Sequence, residues 1–369
     1  MMRNLTEWFS IGAFILLTCT SYLVWPFVPD NRHMEKDENR RLAEMPDIAH
    51  TSVSELPDKL TEYINDHMPF RYFLIKQYND FEYHTFHVSH RVIIGRDGWL
   101  FSNEGEESDD PLNAYQGKNL VTDEELVRIA DNMIATRDHL RARGTEFIIF
   151  IAPNKERVYS EYMPDKYGVP AENYATKQIV DYLRDHTDLT IVYAMDDLMA
   201  AKQTLGAEKL LYHKTDTHWN NLGGYVGARS LLQAMGIDIP APDDTSLTIV
   251  QENDVPGDLS HMMGVTPSEG AGDNFDVTGY DKHESECLEH NDMQIIRYQA
   301  VGVDKRKIFV HHDSFSGCME PVISSLFDNS VLVHKEYYQP YMVDDENPDI
   351  FIYEMVEKNV PERLHQILY

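Results

Sequence analysis

Hydrophobic and polar positions fall into blocks of changing period along this chain. The first block, Trp8 to Val28, is almost wholly apolar; at about 20 residues it is long enough to span a bilayer. Trp8, Tyr22 and Trp25 lie near its ends, where interfacial aromatics sit. No small-x-small cleavage pattern follows, so residues 1–29 read as an uncleaved membrane anchor, with a removable signal peptide as the alternative. Residues 30–52 are charged and Pro-punctuated, a stalk without a core of its own. From Val53 to about His87 the apolar spacing (Phe70, Phe73, Leu74, Tyr78) is helical.

Beyond that point the period alternates between strand and helix. Arg91 to Phe101 carries two β-rich runs around Asp97-Gly98, a hairpin signal. Asn103 to Leu120 reads as loop. Thr122 and Glu125 form a capping-box pattern, opening a helix that Gly144 ends. Phe147–Ala152 and Leu189–Ala194 are continuous apolar runs of the kind buried in parallel sheets. Helical spacing fills Tyr174–His186, Asp196–Thr204 and Asn220–Met235; Gly223, Gly224 and Gly227 in the last suit close packing on a sheet. Lys307–Val310, Ser330–Val333 and Asp349–Tyr353 supply three more strands. The alternation predicts an α/β fold: a doubly wound parallel sheet over residues 53–369, with helices on both faces. Residues 240–300 break the rhythm; acidic and rich in Gly, Pro and Asp, they are expected to form an inserted loop-rich and β segment, the candidate lid.

Composition narrows the partners. The net charge is −30 over 369 residues, which argues against nucleic acid, since phosphate binding needs clustered Lys and Arg. The cysteines outside the apolar run, Cys287 and Cys318, suit an exported disulfide or two free thiols. No Gly-x-Gly-x-x-Gly or Walker-type loop is present, and no cofactor is expected.

The candidate chemistry lies in two stretches. His311-His312-Asp313-Ser314-Phe315-Ser316 follows a strand and precedes a helix-like segment, placing a serine at the carboxyl edge of the sheet, where open α/β folds hold ligands. A serine hydroxyl needs a base, and the base needs a group to fix its tautomer. Asp216-Thr217-His218-Trp219 offers both. Ser314 is the nucleophile, His218 the base and Asp216 the orienting acid in this reading. Its oxyanion donors are the Ser314 N–H and Asn154, with Lys155, Trp219 and Phe315 as further oxyanion or substrate contacts. A plain structural reading competes, because Asp-Ser at a strand end also makes an ordinary N-cap and Asp-x-His an ordinary turn. A metal at His213, Asp216, His218, His311, His312 and Asp313 is a third reading, although zinc-type spacing is lacking.

These pieces, with Glu38–Leu42, Asn65–Arg71, Gly95–Phe101, Pro153–Lys155, Gly257–Ser260 and Pro348–Ile350, resemble the SGNH-hydrolase-like polysaccharide O-acetyltransferase family, the alginate O-acetylation proteins AlgJ and AlgX. The resemblance implies a Ser-His-Asp triad at Ser314, His218 and Asp216 that accepts an acetyl group and passes it to a sugar hydroxyl. It further implies a polysaccharide acceptor and a membrane-bound O-acyltransferase-type donor protein. One departure is His312, which stands where the family usually has Gly; Gly adopts positive φ more readily. The expectation is an extracytoplasmic O-acetyltransferase anchored in the cell membrane through residues 8–28. A carbohydrate acetyl esterase with the same triad and a non-catalytic polysaccharide-assembly protein are the alternatives.

Overall fold

The structure, a computed structural model, describes residues 8–12, 15, 42–103, 111–252, 256–263, 272–280, 283–291, 295–301 and 304–368. Among the described residues no helix is long and apolar enough to cross a membrane. The anchor expected at 8–28 lies largely outside them, as does most of the stalk. The chain forms two compact units, residues 1–90 with 258–268 and residues 91–257 with 269–369. The alternation of elements in the sequence predicts one domain over 53–369.

In the first unit the expected helix is two helices, Leu56–His67 and Arg71–Phe86, broken at Phe70, whose φ of 63° is left-handed. Pro69 accounts for the break, because a proline has no amide hydrogen and disfavours helical backbone at the residue before it.

The second unit begins with the hairpin, β1 (Val92–Ile94) against β2 (Leu100–Ser102), turning through left-handed Asp97 and Gly98. It continues through β3 (Glu146–Ala152), β4 (Thr190–Tyr193), β5 (Thr248–Glu252), β6 (Asn274–Thr278), β7 (Ser285–His290), β8 (Ile295–Ala300), β9 (Asp304–His312), β10 (Phe327–His334) and β11 (Ile350–Val356). The main sheet has the order β4-β3-β11-β9-β10-β8-β7. Its first five strands are parallel, as expected, whereas β8 and β7 add antiparallel to the edge. The sheet is therefore mixed. Much of segment 240–300 is structural: β8 and β7 complete the sheet, and β5 pairs with β6 in a separate ribbon. The short runs of β7 and β8 resemble loop in sequence because no residue of β7 and only three of β8 are buried.

The apolar runs are continuous because both faces of the sheet are covered. Ile148, Phe150, Val310 and Ile352 point into one core, while Phe147, Ile149, Phe309 and Phe351 point into the other. Each such side chain contributes about 1.5–3 kcal/mol when fully buried. The capping box forms as expected: Thr122 Oγ1 accepts from the Glu125 N–H, and Glu125 accepts from the Thr122 N–H. A short helix, Pro111–Tyr115, occupies part of the predicted 103–120 loop.

The glycine-rich helix Asn221–Ala234 is packed closely, Gly223 and Gly224 against loops and Gly227 against Trp219 and the sheet residue Phe150. A Cβ at Gly224 would lie 2.5 Å from the Cβ of Cys318, and one at Gly227 2.7 Å from the Trp219 ring. Those two neighbours flank the candidate site. The helix glycines bring its two loops together.

Candidate active site

Strand β9 runs through both histidines and gives out at Asp313, where a short 3-10 turn, Ser314–Cys318, begins. Asp313 caps that turn, one carboxylate oxygen accepting from the Phe315 N–H at 3.1 Å. Its other oxygen accepts from the Val356 N–H at 2.8 Å, joining the ends of β9 and β11. The Asp313 N–H in turn donates to Glu354 Oε2 at 2.8 Å. Burial first, and then the Asp313 carboxylate, push the Glu354 carboxyl well above its ordinary range. Arg363 lies 3.8 Å from Asp313 on the same side. The result is a rigid base for an exposed Ser314, whose own N–H has no partner among the described residues.

The second half of the site is a loop closed by one bridge, Tyr212 to Trp219. Asp216 Oδ1 accepts from the His218 N–H at 2.9 Å and lies 2.7 Å from His218 Nδ1. A carboxylate facing Nδ1 places the imidazole proton there and leaves Nε2 as acceptor. Nε2 lies 2.7 Å from Ser314 Oγ, so the serine hydroxyl donates to it. Phe315 packs its ring 4.8 Å from the imidazole, and Trp219 Nε1 donates to the Phe315 carbonyl at 2.8 Å. The structure thus brings Asp216, His218 and Ser314 into one hydrogen-bonded chain, although 96 residues separate the base from the serine. Such a chain can raise the nucleophilicity of a hydroxyl.

The other expected contacts are placed differently. Lys155 is 2% exposed and donates to the carbonyls of Leu100, Lys214 and Asp216, so it holds backbone where substrate contact was expected. Trp219 is fully buried and Phe315 nearly so; they form the floor under His218, and the Phe315 N–H is committed to Asp313. Asn154 accepts from the Lys358 N–H through Oδ1, while its Nδ2 is buried without a partner among the described residues.

His312 needs no left-handed backbone, because it lies in the extended end of β9 paired with His334. The concern raised by the absent glycine therefore falls away. Burial lowers its imidazole to about 4, and that of His311 well below the ordinary value. Of the residues of the metal reading, Asp216 and His218 stay together, whereas the other histidines turn elsewhere. His213 faces Asp273, His311 is stacked 3.9 Å from the Tyr338 ring, and His312 packs edge-on against His334. Cys287 and Cys318 are free thiols; burial pushes the Cys318 thiol up to about 12, as an inert packing group.

Sequence reasoning missed Asp273. Its carboxylate lies 2.7 Å from His213 Nδ1 and accepts from the Lys214 N–H, and its carbonyl accepts from Asn220 Nδ2. Two turns of the loop hang on this residue from segment 240–300, which sequence presented as a flap. Gly257 is a second such contact: a Cβ there would stand 2.4 Å from that of Asp216.

A mixed α/β sheet with a serine, histidine and aspartate converging at its carboxyl edge fits an SGNH-hydrolase-like protein, and the family match makes that assignment. The chain belongs to the family described as "SGNH hydrolase-like domain, acetyltransferase AlgX", matched over residues 92–287. That match contains Asp216 and His218 and stops short of Ser314. Among curated proteins the chain is similar to the probable alginate O-acetylase AlgJ of Pseudomonas putida, 29% identical over 179 residues, which are 48% of this chain and 43% of that one. The corresponding protein of Pseudomonas aeruginosa is 27% identical over 199 residues, 50% of this chain and 44% of that one. The chain thus spans less than half the length of the curated relatives it matches. Among solved structures, Bacillus cereus PatB1 with a sulfonyl adduct superposes with a TM-score of 0.51 at 14% identity, covering 75% of this chain and 100% of that one. A DHHW family protein from Eubacterium siraeum gives 0.50 at 12% identity, covering 74% and 93%. These two share the fold.

Proposed function

We propose that this protein is an extracytoplasmic polysaccharide O-acetyltransferase working through a Ser314 acetyl-enzyme. The observation that carries the reading is the continuous chain from Asp216 through His218 to Ser314 Oγ, with both links at 2.7 Å. Its relatives are named alginate O-acetylases, which supports acetyl as the group carried and a polysaccharide as the acceptor class.

In the first half-reaction His218 Nε2 takes the hydroxyl proton as Ser314 Oγ attacks the acetyl carbonyl. The bond from that carbonyl to the donor's oxygen then breaks, and the donor leaves with the proton from His218. In the second, a sugar hydroxyl gives its proton to His218 and attacks the acetyl-serine; the bond to Oγ breaks and Oγ regains a proton. Asp216 holds the imidazole in the required tautomer throughout. The unpartnered Ser314 N–H takes the developing oxyanion, with Asn154 Nδ2 as the second donor. A membrane-bound O-acyltransferase-type protein supplies the acetyl group, and residues 8–28 hold the chain at the bilayer.

The test is the fate of acetyl from an activated aryl acetate given to the full chain in detergent, with and without an oligosaccharide acceptor. Acetylated oligosaccharide, formed by the parent chain and absent with Ser314→Ala, is expected. Free acetate alone, unchanged by acceptor, would assign a carbohydrate esterase with the same triad. Neither product would overturn catalysis and favour an assembly role.

A further inference from the structure

We propose that Lys155 is a positioning residue for this site: its ammonium charge holds the Asp216–His218 loop in register with Ser314. The inference rests on the function proposed above. Lys155 opens a four-residue helix after β3, and its side chain is buried in an aromatic box, with Nζ 5.1 Å from the Trp99 ring centre and 5.2 Å from that of Phe101. Nζ donates to the carbonyls of Leu100 at 2.6 Å, Lys214 at 2.9 Å and Asp216 at 2.9 Å.

Three acceptors are as many as an ammonium has protons, and more than a neutral amine can serve. The three carbonyls come from two segments, the β1–β2 hairpin and the loop. A second bond, from the Leu100 N–H to the Lys214 carbonyl, binds the same two together. The Asp216 carbonyl is the informative one. It belongs to the peptide between the orienting carboxylate and Thr217, so fixing it sets the direction of Asp216 and, through it, of His218. Burying an ammonium is expensive, and an apolar side chain of similar length would fill the box at less cost. The charge therefore has a task that packing alone does not supply, which is to draw carbonyl oxygens from two segments to one point.

Displacing a catalytic group by about 1 Å costs on the order of 100-fold in rate. Lys155→Met, nearly isosteric and neutral, is accordingly expected to lower kcat for 4-nitrophenyl acetate turnover by roughly 100-fold. KM should stay within about twofold, since the interaction matters chiefly in the transition state. Rates are expressed per active site, counted from the burst of nitrophenol, so loss of folded protein does not enter. In Lys155→Ala, ethylammonium is expected to restore at least about tenfold, and n-propanol to restore none, because only the former supplies the missing donors. A Met variant retaining more than about half the parental kcat would overturn the proposal. So would an Ala variant that the alcohol restores as well as the amine does, or that neither restores. Should the Met variant not fold, the Ala variant refolded in either additive decides by the same criterion. Undiminished turnover by Ser314→Ala would instead show that the site reading itself had failed.

Discussion

Ser314 and His218 meet at 2.7 Å, yet they are held in place by opposite means. Ser314 stands where β9 ends, and everything behind it is sheet and buried core: the Asp313 carboxylate spans to β11, Glu354 accepts its N–H, and Arg363 lies alongside. His218 stands on a loop with one bridge and no ladder, held by side chains reaching in from 59 to 61 residues away in sequence, Lys155 by way of Lys214 and Asp216, Asp273 by way of Lys214. The serine half inherits its rigidity from the fold. The histidine half owes its rigidity to a few polar contacts. Damage to the first should appear as lost stability, and damage to the second as lost turnover in a folded protein.

The sharpest break of the comparison is Asp216→Asn. An amide at this position leaves the imidazole tautomer unfixed, and kcat should fall by roughly 10³–10⁴-fold with melting little changed. Equal losses in melting and turnover would put Asp216 in the structural class. On the serine side, Asp313→Ala strands the Phe315 and Val356 N–H groups and leaves buried Arg363 less compensated. It should destabilise by about 3–5 kcal/mol, read by denaturant titration. A variant as stable as the parent would refute the sheet-anchored account of Ser314.

Acid sharpens the same side. His312 has a folded value of about 4 against an ordinary 6.5, so its contribution is fully present above pH 6.5 and is lost as the pH falls through 4. The stake is at most about 3 kcal/mol. His312→Gln cannot titrate and should flatten that part of the acid-unfolding curve, although neighbouring His311, lowered in the same direction, keeps some of the slope. Superimposable acid curves would contradict it. The smallest effect is expected at Asp273→Ala, which loosens the loop at its far side: roughly tenfold in kcat, with the parental melting temperature nearly retained. A large fall in melting without a fall in kcat would move Asp273 to the structural class.

What was legible in sequence follows the same division. Phe147–Ala152, Lys307–Val310 and Asp349–Tyr353 are visible as parallel strands because both faces are buried, and the Ser314 turn because a strand visibly stops there. The Thr122 cap and the Asp97-Gly98 turn are written in local chemistry. The segment holding β7 and β8 reads in sequence only as a loop-rich and β insertion, because the edge strand β7 buries none of its residues and β8 only three, too few to stand out. Asp273 and the true task of Lys155 were illegible for a different reason. Each acts on backbone far off in sequence, and an aspartate in an acidic, Gly-rich stretch has no periodicity to betray it. His312 shows the converse, since a residue that breaks a motif proved compatible with the strand it ends.

The most direct measurement is intact-protein and peptide mass spectrometry of the full chain after brief incubation with an activated aryl acetate. The account predicts one added acetyl group, located on Ser314, present in the parent chain and absent in His218→Ala. A folded parent chain that carries no acetyl on Ser314, or a His218→Ala variant acetylated there just as fast, would contradict it.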